Sequence, residues 1–241
     1  MKNKRKHVLI LGGSSDIGIE VVKNFLWLKW EVTAHFNKNK KRLEILKKGS
    51  KNLNIVKLNF TPHKNLNIEK LLIKKFNGRY DSVINLVGYI DNIGYRNTNF
   101  KSIWQTVSIN AIFPILLEKK LVKSMISQKW GRILNCSSIG IKFGGGINTF
   151  NYSFSKHCLE FIPGVHKSWA RRNVFINNLR IGVTDTKLHK KIKNLDLKKR
   201  VKLIPINRMA RPNEIANYIT DLTTDTNSYM TGETITVAGG E

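Results

Sequence analysis

The feature that most limits what this chain can fold into is a repeated change of period. Short apolar runs alternate with longer stretches whose apolar residues fall on one helical face. Residues 7–11 form such a run, end at Gly12-Gly13 and predict a buried strand. Residues 17–28 follow with Ile17, Val21, Val22, Phe25 and Leu28 on one face, which predicts a helix. The same reading gives strands at 31–36, 55–60, 81–87, 132–136, 174–180 and 233–238. It gives helices at 41–48, 67–76, 100–128, 152–170 and 213–223. Pro114 lies inside the long 100–128 helix and Pro163-Gly164 inside 152–170, so each predicts a kink. Strands that alternate with helices need crossover connections, and these make a parallel sheet with helices on both faces. The predicted fold is therefore α/β, a Rossmann-type doubly wound parallel sheet of about seven strands. No internal repeat or linker composition divides the chain, so residues 1–241 read as one domain.

Composition narrows the function classes. Of the 241 residues, 41% are hydrophobic, enough for a substantial core. Lys and Arg outnumber Asp and Glu by 42 to 16, a net charge of +26. Such a field attracts anions: nucleic acid, an anionic membrane, an acidic carrier protein or a phosphorylated substrate. The basic residues are spread along the chain, and Lys, Asn and Ile are abundant everywhere. That pattern fits genome composition and argues against a nucleic-acid footprint. No run approaches the length of a membrane span, and the basic start at residues 1–7 precedes too short an apolar run for a signal peptide. The two cysteines, Cys136 and Cys158, form no C-x-x-C pair, and a reduced, cytoplasmic setting is expected. His7, His35, His63, His157, His166 and His189 form no spaced ligand set, so no metal site is expected.

Two stretches carry chemistry. Gly12, Gly13, Ser14, Ser15, Asp16, Ile17 and Gly18 lie between the first strand and the first helix, where a doubly wound fold binds a dinucleotide. Gly12 permits a tight turn, Gly18 lets the helix approach the sheet, and the helix N-terminus faces a pyrophosphate. The bland reading is a capped helix, since Asp16 is also a good cap residue. At the end of the second strand, Ala34-His35-Phe36-Asn37-Lys38 has no acid to hold ribose hydroxyls. Lys38 could pair with a 2′-phosphate, which favours NADP and leaves NAD open; the bland reading is a solvated lysine. The second stretch is Tyr152-Ser153-Phe154-Ser155-Lys156. Four residues is just over one helical turn, so phenol and ammonium leave one face. A nearby ammonium favours the phenolate and is expected to lower the tyrosine pKa towards neutrality.

Taken in order, these motifs resemble the short-chain dehydrogenase/reductase family, of the compact type that includes 3-oxoacyl-(acyl-carrier-protein) reductases. The resemblance covers nearly the whole chain. Gly12 to Gly18 looks like the family's G-x-x-x-G-x-G turn, with Asp16 in place of the middle glycine. Asn59 falls where the family has an Asp at the adenine. Asn85-Leu86-Val87-Gly88 resembles its Asn-Asn-Ala-Gly run. Asn110 matches the catalytic Asn, Ser138 the catalytic Ser, and Tyr152 with Lys156 the Tyr-x-x-x-Lys pair. Gly182, Val183, Thr184 and Thr186 match the segment beside the nicotinamide, with Ile181 in place of proline. Ser138 to Tyr152 is one residue longer than the family spacing, which keeps Ser137 as a second candidate.

The resemblance implies hydride transfer between a nicotinamide and a carbonyl or alcohol. Tyr152 would pass the proton, Lys156 stabilise the phenolate and hold the nicotinamide ribose, Ser138 orient the carbonyl, and Asn110 hold a water beside Lys156. The implied substrate is a small or carrier-linked ketone such as a 3-oxoacyl thioester. A keto group on an activated sugar is the enzymatic alternative, and a nucleotide-sensing or nucleic-acid-binding protein on the same fold the non-enzymatic one. Residues 184–203 read as a lysine-rich substrate lid, with Lys187, Lys190, Lys191, Lys193, Lys198, Lys199 and Arg200 suited to an acidic carrier. The two long helices are expected to pair across a subunit interface in a homodimer or homotetramer.

Overall fold

The computed structural model describes residues 5–62, 67–193 and 195–241. Residues 1–4 of the basic start and His63 lie outside them, as does the side chain of Lys190. Seven parallel strands form one sheet in the order β3-β2-β1-β4-β5-β6-β7. They are β1 His7–Leu11, β2 Glu31–Phe36, β3 Leu53–Lys57, β4 Ser82–Asn85, β5 Gly131–Ser138, β6 Val174–Ile181 and β7 Thr234–Val237. The connections run outward from β1 to β3, then return to β4 on the other side of β1. The topological switch therefore lies between β1 and β4, and a ligand crevice opens beyond their carboxyl ends.

Strand side chains alternate between two cores. Val8 and Ile10 of β1, with Ile84, Leu134 and Leu179, face one side. There they meet Val22 and Phe25 of α1 (Asp16–Trp27) and Ile215, Ala216 and Ile219 of α9 (Pro212–Leu222). Leu9, Leu11, Val83, Ile133 and Ile176 face the other side. They pack on Leu72 of α3 (Ile68–Lys75) and on Leu117, Leu121 and Met125 of α5 (Phe113–Gln128). Complete burial of each such side chain contributes about 1.5–3 kcal/mol. Between β2 and β3 runs α2 (Lys41–Lys48).

Three expectations need correction. The third strand is 53–57 rather than 55–60: Val32 to Phe36 of β2 pair with Leu53 to Lys57, the Leu58 N–H gives one last bond to the Phe36 carbonyl at 3.1 Å, and Leu58 and Phe60 are core residues beyond the strand. The long 100–128 helix is not one regular helix. It is α4 (Phe100–Val107), a π turn at Ser108–Ile112, and α5. The Phe113 N–H reaches back to the Ser108 carbonyl, so one extra residue is accommodated just before Pro114. Pro114 sits in the first turn of α5, where a missing N–H costs least. The 152–170 helix is also two helices. α6 (Phe150–Leu159) starts two residues earlier and stops before Pro163-Gly164, and α7 (His166–Ala170) follows. Within 184–203, α8 (Leu197–Lys202) is capped by Asp196, whose carboxylate accepts the Lys199 N–H.

Candidate active site

The glycine turn is set by close approach. Gly12 has φ +77°, and a Cβ there would stand 2.8 Å from the Leu86 carbonyl oxygen. A Cβ on Gly18 would stand 2.5 Å from the Gly12 oxygen, so helix and turn meet only because residue 18 is glycine. The cap is Ser15, not Asp16: its Oγ accepts the Gly18 N–H at 3.0 Å. Asp16 does something the sequence does not announce. Its Oδ1 pairs with Arg42 of α2 at 2.8 Å, and its Oδ2 accepts the Lys187 backbone N–H at 2.7 Å. Arg42 also donates to the Ser14 carbonyl at 3.1 Å.

The adenine-side candidates gather less closely. Asn37 and Lys38 are exposed just past β2. Asn59 turns its amide oxygen to the Thr61 N–H and hydroxyl, a local turn rather than an inward-facing group. Asn85, by contrast, is fully buried. It donates to Asn135 at 3.1 Å and accepts the Val87 N–H at 3.1 Å, fixing the chain between β4 and Gly88.

Four candidates converge at the carboxyl ends of β4 and β5. Lys156 is 2% exposed and donates to the carbonyls of Val87 at 2.8 Å and Cys136 at 2.7 Å. Ser138 ends β5, where its Oγ accepts the Gly140 N–H at 3.2 Å and lies near enough to the Tyr152 phenol to lower it, while Ser137 is buried and reaches only towards the Lys156 carbonyl at 3.5 Å. The geometry thus favours Ser138 over Ser137 as the serine beside the phenol. Gly88 borders the tyrosine ring, and a Cβ there would stand in ordinary contact, 4.0 Å from the Tyr152 Cε2. Asn110 sits in the π turn. Its amide oxygen accepts the Tyr89 N–H at 2.8 Å, and its amide nitrogen donates to the Tyr89 carbonyl at 2.9 Å and to Ser155 at 2.8 Å. The side chain is spent on these bonds. The Asn110 carbonyl, however, has no N–H returned to it by Pro114.

The expected acidification of Tyr152 does not occur here. Burial pushes the phenol up to about 12, against the Ser138 hydrogen bond, which lowers it. The Lys156 Nζ lies 5.9 Å from the ring centroid and points at carbonyls instead. Tyr152 keeps part of its surface open to the cleft, and the phenol is protonated at neutral pH. Burial also pushes Lys156 down, to about 8.

The helix that carries the pair is anchored by residues the motif search passed over. Asn151, fully buried, donates to Asp91 at 2.7 Å and accepts from Thr98 at 2.5 Å. Asp91 also accepts from Thr106 of α4 at 3.0 Å. A small polar side chain next to Tyr152 was the available signal. Across the cleft, Gly182 fits against Ala238, where a Cβ would meet the Ala238 Cα at 2.6 Å. The Val183 carbonyl accepts the Ala210 N–H at 2.9 Å, and buried Thr184 donates to the Gly182 carbonyl at 3.0 Å. Thr186 bonds His189 at 3.3 Å. Among the described residues, no group of three His, Cys, Asp or Glu side chains is placed to hold a metal, and no helix is long and apolar enough to cross a membrane.

This arrangement has relatives. A family model described as enoyl-(acyl carrier protein) reductase matches residues 13–241. A 3-oxoacyl-(acyl-carrier-protein) reductase of Aquifex aeolicus is 33% identical over 178 residues, covering 69% of this chain and 71% of that one. A protein of the same name from Buchnera aphidicola subsp. Baizongia pistaciae is 27% identical over 249 residues, covering 100% and 98%. A solved 3-oxoacyl (acyl-carrier-protein) reductase from Agrobacterium tumefaciens, with NADP bound, matches with a TM-score of 0.85 at 19% identity over 98% of this chain and 94% of that one. At that identity the structural likeness is one of fold, and the family rests on the sequence matches. The chain belongs to the short-chain dehydrogenase/reductase family of oxidoreductases.

Proposed function

We propose that the protein is an NADPH-dependent reductase of a ketone, with a 3-oxoacyl thioester as the favoured substrate class. The observation that carries this reading is the convergence of Ser138, Tyr152 and Lys156 beside the glycine turn at the switch point of the sheet. The turn suits a dinucleotide phosphate. The first N–H groups of a helix have no intrahelical partners, and here Ser15 caps only Gly18. Asp16 places an anion at this turn, and Arg42 pairs with it at 2.8 Å. The turn from Gly12 to Gly18, Val87-Gly88 and residues 182–186 would hold the cofactor, with Asn37 and Lys38 at its ribose phosphate. When bound, the nicotinamide supplies hydride to the carbonyl carbon.

The chain's own residues handle the oxygen. The hydroxyls of Ser138 and Tyr152 both address it, Ser138 orienting it and the protonated phenol donating to the forming alkoxide. Lys156, charged below about pH 8 and close by, stabilises the phenolate that remains. Its third N–H is unused by Val87 and Cys136 and is free for a ribose hydroxyl. Asn110 serves the relay through its carbonyl rather than its spent side chain, holding a water towards Lys156. Two donors aimed at one oxygen suit carbonyl reduction better than reduction of a carbon–carbon double bond, which takes its proton on carbon.

Carrier attachment is favoured by the relatives' names and by charge. Lys187, Lys191, Lys193, Lys198 and Lys199 lie in the segment bordering the site, where an acidic carrier would dock. A homodimer is favoured by exposed apolar rings on α4 and α6: Phe100 is 81% and Phe154 43% exposed. The test is NADPH oxidation with acetoacetyl thioesters by wild type and Tyr152→Phe. Turnover that falls by orders of magnitude in the variant supports the reading, and equal turnover sinks it.

A further inference from the structure

Asp16 stands where the family pattern has glycine, and both its oxygens are committed. One takes the Arg42 guanidinium at 2.8 Å, the other the Lys187 N–H at 2.7 Å. It does so at the start of α1, where the helix dipole favours an anion. A helix N-terminus, a guanidinium and a backbone N–H are the donors a phosphate would seek. The carboxylate therefore occupies a phosphate's seat. It also ties two parts of the cleft together, because Lys187 directly follows the 182–186 stretch on the opposite wall.

The rest of that segment is held in the same manner, by side chains from neighbouring loops. The Lys193 N–H donates to Asn92 at 2.9 Å, and its carbonyl accepts from Asn148 at 3.0 Å. Further on, Arg200 pairs with Glu241 at 2.5 Å, and both side chains are largely buried. Of these ties, only the one at Asp16 is made by an anion at the phosphate turn. An arriving dinucleotide phosphate repels that carboxylate and competes for its donors, but leaves the Asn92, Asn148 and Glu241 ties untouched.

We propose that Asp16 is an internal stand-in for cofactor phosphate. It latches residues 187–193 onto the glycine turn in the cofactor-free protein and is displaced from the Lys187 N–H when the cofactor binds. The displacement half rests on the dinucleotide reading above, while the latch itself does not. The latch restrains the substrate-side wall while the turn is empty, and it opposes cofactor binding by an amount set by the carboxylate's charge.

The test uses the full chain and two measurements that need no ketone. Amide hydrogen exchange at Lys187 is followed in the cofactor-free wild type, Asp16→Gly and Asp16→Asn, and NADPH affinity is measured by fluorescence titration. Asp16→Gly is expected to speed exchange at Lys187 about tenfold, while Asp16→Asn, which keeps an acceptor oxygen, slows it back towards wild type. Both variants are expected to bind NADPH about five- to tenfold more tightly, because the competing charge is gone. Unchanged exchange at Lys187 in Asp16→Gly overturns the latch. Equal or weaker NADPH binding by Asp16→Asn overturns the phosphate stand-in. A wild type that binds no dinucleotide overturns the functional reading and the displacement half together, and the exchange result then decides the latch alone. Should Asp16→Gly fail to fold, Asp16→Asn still decides the stand-in, and Arg42→Ala, which loosens the carboxylate, decides the latch through the same exchange measurement.

Discussion

Replacing Glu118 by glutamine measures what a buried carboxyl does to this fold. Glu118 lies in α5, is 6% exposed, and accepts one long hydrogen bond, 3.3 Å from the Asn135 amide. Its other oxygen has no partner, and no ion pair reaches it among the described residues. Burial pushes the carboxyl up from 4.5 to about 8, against the Asn135 bond. The folded chain therefore keeps a proton that the unfolded chain releases in that window. The stability linked to Glu118 is fully present below about pH 4.5, falls as pH rises, and is lost through pH 8. The slope approaches 1.4 kcal/mol per pH unit, so the penalty at pH 7 is of order ~3 kcal/mol. Glutamine has the same shape and no proton to lose, though its unpaired amide group costs about 1–3 kcal/mol at every pH. The absolute stability of Glu118→Gln is thus a poor measure, and the difference in slope is a good one. Urea unfolding at pH 5, 6, 7 and 8 should show the variant gaining on wild type by about 1 kcal/mol per unit. Parallel curves would refute the reasoning, because they would mean Glu118 is already ionised or is solvated in the folded chain.

The same physics applies at the proposed reacting centre. Burial lowers Lys156 to about 8, so ketone reduction should fall as pH rises through that value, with the descending limb absent in a pH-rate profile if the lysine is not involved. Ser138→Ala should lower kcat about 10²-fold by removing a donor from the carbonyl oxygen, while Ser137→Ala leaves kcat near wild type; the opposite ranking would move the serine role to Ser137. In the reverse direction, alcohol oxidation should rise with pH across the neutral range while reduction does not, since Tyr152 must first lose its proton. An oxidation rate that is flat from pH 7 to 9 would contradict a protonated phenol.

The sheet was legible because its signals are local. Val22 and Phe25 lie on the helix face that periodicity assigns them, Val8 and Ile10 fall in the buried strand that their apolar run predicts, and a Cβ on Gly18 would strike the Gly12 oxygen. The errors came where a local signal had two outcomes. Leu58 and Phe60 read as strand because they are buried, yet burial there comes from loop packing beyond the β2–β3 ladder. Pro114 reads as a kink, but one extra residue wound into the preceding π turn moves it to a helix start. The candidate site was legible as a set of residue types in order. Its long-range partners were not: Arg42 to Asp16, Asn151 to Asp91 and Lys193 to Asn92 join residues 26, 60 and 101 positions apart, and no spacing rule relates them.

The sequence also suggested the wrong sense for the tyrosine, and the correction bears on which proton the site holds. Proximity in a helix places Lys156 on the same face as Tyr152, but the ammonium has better acceptors in the Val87 and Cys136 carbonyls, which the strand ends present at 2.8 and 2.7 Å. Desolvation then governs both groups, raising the phenol and lowering the amine. At neutral pH the site accordingly holds a proton on the phenol and a charge on the lysine. That is the state needed to meet a developing alkoxide, and it requires no prior ionisation. Oxidation would start from the phenolate, and each pH unit below the phenol's pKa costs about 1.4 kcal/mol to reach it. The protonation state written by burial therefore readies this site to donate a proton, and any oxidation it carries out must first draw that proton off.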